Sequence, residues 1–299
     1  MIRTILFVCA FSLAASGCGV KLVYNNLDRI ARWSVSDYLQ MDQTQRAYFD
    51  AEVDRLLYWH RTTQLPQYAN FLESLESVLG DGTDEQEILA MINTMFGWGD
   101  AIETRGMPMV IELLLSMDDE QVAALPALLA ESNRDFMESE EDVSVNEMQE
   151  EWQREFVDGF SRITGKLNRE QKNYLTAQSV RYIPQYGLWV EYRQRWQAEL
   201  LRLLREERDD PAEFGRMFVA LNESRKSYYG AELTGVFTHN EALYQEATVY
   251  LINNLSVKQQ NRFFSRMNSV AEDFRELVAE APEQEPASGG CLVACGTGY

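Results

Sequence analysis

One short pattern recurs four times in this chain: an apolar residue, a helix-capping residue, two unconstrained positions, then glutamine. It reads Met41-Asp42…Gln45, Met117-Asp118…Gln121, Leu167-Asn168…Gln171 and Leu255-Ser256…Gln259. Seven residues past each cap stands another apolar residue, namely Phe49, Leu125, Leu175 and Phe263. Each copy is a capping-box start. The cap side chain accepts from a backbone N–H of the first turn, and the glutamine reaches back to the cap's own N–H. The apolar residues before and after fix how the chain enters a bundle. With four such starts and no stretch that reads as a strand, the chain is expected to be all-α.

Apolar spacing between the starts predicts the rest. Tyr24, Leu27, Ile30, Trp33 and Tyr38 give a first helix over about 24–39. A second runs from Asp42 to about Thr63, restarts or kinks at Pro66 and continues to Gly80. Thr83 with Gln86 is expected to cap a helix over about 84–115, broken near Gly97, Gly99, Gly106 and Pro108. Further helices are expected over about 168–207, kinked at Pro184, over about 211–253 with breaks at Gly230 and Gly235, and over about 257–279. Residues 131–158 hold eleven acids against Arg134 and Arg154, and Ser139-Glu140-Glu141-Asp142 reads as a solvated loop. Ser144 with Glu147 caps the helix that follows. The expected architecture is an elongated multi-helix bundle of two helical halves, 24–138 and 144–280. Residues 281–299, rich in Glu, Pro, Ser and Gly, read as a disordered tail.

The start of the chain carries a different signal. Arg3 precedes a largely apolar run over 5–13, then Ala14-Ala15-Ser16-Gly17-Cys18. The run is too short to span a bilayer and reads as a removable signal peptide, residues 1–17. Its end resembles the lipobox of bacterial lipoproteins, with Ala15 where leucine is usual. The resemblance implies cleavage before Cys18 and acylation of Cys18 by palmitate-type chains, so that the protein meets the membrane through a lipid anchor. Gly19 after the cysteine is similar to the sorting pattern for the Gram-negative outer membrane, which places the body on the periplasmic face. Residues 18–23 then form a short tether, reaching at most roughly 20 Å.

Charge narrows the partners. The chain has 47 acidic and 27 basic side chains, a formal net charge of −20. Such a body is repelled by nucleic acid and by anionic headgroups, so no nucleic-acid partner is expected. Of four cysteines, only Cys291 and Cys295 remain free beyond Cys18. Their spacing is not Cys-x-x-Cys, and whether they pair is open.

Several stretches together look like one family: Lys21-Leu22-Val23-Tyr24-Asn25-Asn26-Leu27-Asp28, Asp37-Tyr38, Asp42…Gln45, Tyr58-Trp59-His60-Arg61 and Leu65-Pro66-Gln67-Tyr68. They are similar to an uncharacterised family of proteobacterial lipoproteins, known only as a domain of unknown function. The resemblance is strongest over 13–70 and looser to about 280; it implies an envelope location and an all-helical body, and it brings no activity. The capped-glutamine pattern also resembles the Leu-Thr-x-x-Gln motif of small periplasmic chaperones of the Spy and CpxP type, with Asp, Asn or Ser in place of Thr.

No nucleophile elbow, phosphate loop or dinucleotide fingerprint is present, and His60 and His239 lack zinc or carboxylate-bridged spacing. No catalytic residue, metal or cofactor is therefore assigned. Trp189, Tyr192, Trp196, Leu200, Leu203 and Leu204 make an apolar stripe, ringed by arginines suited to pair with the acidic 131–158 segment. His60, Arg193, Arg195 and Arg202 are the candidate interaction residues. Three classes stay open: a structural or protein-interaction lipoprotein with an envelope partner, a chaperone-like binder of unfolded periplasmic clients, and an envelope hydrolase without a recognisable motif.

Overall fold

The computed structural model describes residues 17–32, 40–79, 84–139 and 143–293. Residues 1–16 of the expected leader, Trp33 and Tyr38 of the expected first helix, the acids 140–142, Thr83 and Cys295 lie outside them. The helices are α1 (Gly17–Tyr24), α2 (Gln43–Trp59), α3 (Leu65–Leu79), α4 (Glu85–Leu115), α5 (Asp119–Glu138) and α6 (Val145–Thr164). They continue as α7 (Arg169–Ser179), α8 (Tyr186–Glu206), α9 (Pro211–Glu223), α10 (Gly230–Asn253) and α11 (Val257–Ala279). No strand occurs among the described residues, so the fold is all-α.

All four repeated starts form capping boxes, at Asp42/Gln45, Asp118/Gln121, Asn168/Gln171 and Ser256/Gln259. Ser144/Glu147 does so as well. The start of α4 is capped one residue later than expected, by Asp84 with Glu87. Two carboxylates there also suit the positive end of the helix dipole.

The glutamines then do something that a cap alone does not require. Gln45 and Gln121 exchange amide hydrogen bonds, Nε2 of each donating to Oε1 of the other at 3.0 and 2.8 Å. Gln171 and Gln259 do the same at 3.3 and 3.1 Å. Each glutamine also donates to a backbone carbonyl of the facing turn: Gln45 to Ser116, Gln121 to Gln40, Gln171 to Asn254 and Gln259 to Lys166. The four starts thus meet as two pairs, and each pair locks two helix N-termini together. A third buried amide pair, Asn133 with Gln197 at 2.7 Å, joins α5 to α8.

α4 is the spine. Its 31 residues span about 46 Å at 1.5 Å each. Ile88 and Ile92 at its start enter one core, with α3, α6, α7, α10 and α11. Ile111, Leu114 and Leu115 at its end enter another, with Leu125 of α5, Leu200–Leu204 of α8 and Phe214, Phe218 and Leu221 of α9. The expected break in its middle does not occur. Both ends are clamped in core, while the middle carries no buried side chain. A Cβ at Gly97 or Gly99 would touch nothing within 4 Å, so these glycines mark open surface rather than a bend.

Three other expectations change. The interior is not divided at 139–143: both large cores combine residues from before and after that stretch, because α4 and α5 pack against helices of the second half. The helix expected over 168–207 with a kink at Pro184 is two helices, α7 and α8, separated by the loop 180–185 that holds Pro184. The loop 180–185 is sutured instead by α10, where Asn240 pairs with both the N–H and the C=O of Ile183 and His239 Nε2 meets the Arg181 carbonyl at 2.8 Å. Residues 18–23, expected as a short tether, lie in the helix α1, and Val20 and Tyr24 are buried. Lys21 ties α1 to α11 by ion pairs with Glu276 and Glu280 at 2.8 and 2.6 Å.

Candidate functional site

Pro66 shapes the ground around His60. Proline has no N–H for the Thr62 carbonyl, and its ring would clash there. The chain answers with a π-turn over His60–Gln64, in which Leu65 N–H reaches back to the His60 carbonyl. The side-chain amide of Gln67 takes up the Thr63 carbonyl at 2.9 Å. One added residue turns the helix face by about 100°. His60 is thereby placed in an aromatic cluster below α1. Its ring stacks on Tyr24 at 5.7 Å, meets Tyr68 edge-on at 5.5 Å, and its Nδ1 lies 2.9 Å from Tyr24 Oη. The Arg61 guanidinium sits over the Tyr24 ring at 5.1 Å.

Burial lowers the His60 pKa from 6.5 to about 4 and pushes the Tyr24 hydroxyl up to about 12. The imidazole is neutral near pH 7, and its Nδ1 shares a single hydrogen bond with the Tyr24 hydroxyl. Between pH 6.5 and 4 the unfolded chain binds a proton here that the folded chain refuses. Stability from this residue is therefore complete above 6.5 and is lost as pH falls towards 4. Between pH 7.5 and 4.5 the wild type is expected to lose about 2.5 kcal/mol more than His60→Gln. Urea midpoints of both chains at the two pH values check it; parallel losses would mean that His60 titrates normally.

The arginines of α8 are staples pointing different ways. Arg193 donates to Ser132 Oγ at 3.0 Å and lies over the Phe136 ring at 5.7 Å. Arg195 holds the carbonyls of Tyr228 and Tyr229 at 2.8 and 2.9 Å, bracing a short 3-10 turn over Arg225–Tyr228. Arg202 pairs with Glu199 and Glu206 on its own helix at 2.6 and 2.7 Å. Their partners lie on elements other than those around His60, so the four candidate residues do not converge. Among the described residues no group of three or more His, Cys, Asp or Glu is placed to hold a metal ion, and no helix is long and apolar enough to cross a membrane. The backbone of Cys18 lies in the first turn of α1.

The arrangement that does converge was not foreseen. Residues 281–293 have no helix or strand, as expected for the tail, yet they lie against α2 and the end of α4. Arg55 pairs with Glu285 at 3.0 Å. Glu52 accepts from Ser288 Oγ at 2.9 Å and from Gly289 N–H at 3.0 Å. Glu112, buried in the last turn of α4, accepts the N–H groups of Leu292 and Val293, both at 3.1 Å through Oε2. Leu292 packs on the cluster of Met41, Tyr48, Phe49, Val53 and Leu113. A Cβ on Gly289 would fall 2.9 Å from Tyr48 Cα, and Gly290 has φ +87°, so both glycines are required. Cys291 is disulfide-bonded. The seat thus receives an extended strand through backbone donors, one close-approach glycine and one aliphatic side chain. One sequence signal pointed to it: Glu112 stands inside the apolar run Ile111-Glu112-Leu113-Leu114-Leu115.

No curated protein and no solved structure matches this chain. A family model does match, over residues 37–233, described as a family of unknown function, DUF6279. The match takes in three of the four capped-glutamine starts and the whole of α4, including Glu112. The chain belongs to this family of unknown function.

Proposed function

We propose that this protein is an envelope lipoprotein, acylated at Cys18 and held at the periplasmic face of the outer membrane, whose helical body works as a protein-interaction module. The observation that carries the reading is the docking of α1. Cleavage before Cys18 would leave that cysteine as the first residue of a helix whose Val20 and Tyr24 are buried in the body and whose Leu22 is two-thirds exposed. Acyl chains on Cys18, each CH2 contributing about 0.8 kcal/mol on burial in lipid, would then hold the body against the bilayer with almost no slack. The strongly acidic composition favours a partner with a basic or neutral face.

Metabolic labelling with an alkynyl fatty acid tests the anchor. Wild type is expected to carry the label and to sediment with membranes, while Cys18→Ala loses both. Label absent from the wild type as well would sink the lipoprotein reading. In-cell crosslinking from the α1 surface tests the interaction module: one or two envelope proteins captured by the anchored form alone support it.

The chaperone-like reading has one observation in its favour, the seat between α2 and α4 that already holds an extended chain. Suppression of the aggregation of a denatured client by the purified protein would move the assignment there.

A further inference from the structure

The tail seat is built oddly for a purely structural contact. Glu112 is a buried carboxylate in the last turn of α4, where the helix dipole is negative, and among the described residues no arginine or lysine pairs with it. Its hydrogen bonds run to the backbone N–H groups of Leu292 and Val293. Glu52 on α2, itself paired with Arg55 at 3.0 Å, takes the Gly289 N–H and the Ser288 hydroxyl. Two acids that grip backbone N–H groups recognise an extended strand with little regard to its side chains. Selectivity comes from no Cβ beside Tyr48, a positive φ at the next residue and an aliphatic group for the apolar cluster, with the Ser288 hydroxyl on Glu52 and the Glu285 carboxylate on Arg55 adding side-chain contacts.

We infer that the groove between α2 and the end of α4 is a binding site for an extended polypeptide segment of a partner protein, bearing Gly-Gly followed after one residue by an aliphatic residue. The chain's own residues 288–293 are its resident competitor. The chemistry of the occupant is argued from the tail now seated there. The tail covers Glu112 and the apolar cluster until a strand of the same kind replaces it. This names the contact surface of the interaction module proposed above, but it stands on the seat geometry and not on the anchor. A chain that binds the segment without being acylated would separate the two.

The test uses the detergent-solubilised full chain and a fluorescent peptide with the sequence of residues 283–293, Cys291 replaced by serine. In Gly289→Val the tail cannot approach Tyr48, so the seat is vacated without touching the helical body. The peptide is expected to bind this variant at least about tenfold more tightly than wild type, because the resident strand no longer competes. Glu112→Arg added to Gly289→Val should abolish binding, as should the Gly289→Val change made in the peptide. Hydrogen exchange around Tyr48–Glu52 should rise in Gly289→Val and fall again on peptide addition. Unchanged exchange in Gly289→Val, or no peptide binding by a variant of unchanged helix content, overturns the proposal. Wild-type chains that form dimers by exchanging tails would assign the seat to a second copy and overturn the choice of a partner protein.

Discussion

Gln171→Ala is expected to destabilise the protein by about 3–5 kcal/mol, more than most surface or half-buried polar substitutions. Gln171 is fully buried. Its Oε1 accepts from Asn168 N–H at 2.8 Å and from Gln259 Nε2 at 3.1 Å, and its Nε2 donates to the Asn254 carbonyl at 2.9 Å. Truncation removes these bonds and strands their partners in a dry site, where each unpaired group costs about 1–3 kcal/mol. Gln259→Ala should cost nearly as much, and the double variant less than the sum, by about 1–3 kcal/mol, because the second loss removes groups already stranded by the first. Urea denaturation of the four chains closes the cycle. Additive losses would mean that the two amides act only as separate caps. The half-buried Gln121 in the other pair predicts a smaller loss there.

Phe214→Ala is expected to cost about 3–5 kcal/mol by leaving a cavity in the second core. Phe214 is fully buried, stacks on Phe218 at 6.1 Å and sits with Ile111 of α4 and Leu125 of α5. The manner of unfolding matters as much as the amount. Because α4 reaches into both cores, the loss should lower one transition, seen alike by helix dichroism and by the fluorescence of Trp196 packed on Phe218. A fluorescence transition that moves while half of the dichroism stays in place would show that the two ends of α4 melt separately.

The helices were readable because their signals are local. Caps such as Asp42, Asn168 and Ser256, Pro211 in the first turn of α9, and the apolar stripe of α8 each act within a few residues. What escaped the sequence depends on neighbours far along the chain. Nothing near Gln45 says that it faces Gln121, and nothing near Gly97 says that both ends of α4 are clamped. The proposed anchor at Cys18 rests on a local motif. The helix that follows is legible in sequence only as a short tether, because its partner α11 lies at the other end of the chain. The tail misled most plainly. Its composition is that of a disordered segment, and its order comes from carboxylates on α2 and α4 that bind backbone, which composition cannot reveal. Of the four candidate interaction residues, the arginines hold partners within the chain, and His60 sits in an aromatic cluster.

The docking of α1 on α11 has a consequence in time. Lys21 and Glu276 are 255 residues apart. Closing so long a loop costs about 5 kcal/mol of chain entropy, against roughly 1 kcal/mol less for a loop a third as long. Chains are made from the N-terminus, and helices with nearby partners settle first. Among the described residues, the first helix to be synthesised therefore has no seat until the last one exists. Throughout synthesis and any passage of the unfolded chain, residues 17–24 stay open to whatever acts on them, and folding closes that interval only when α11 arrives.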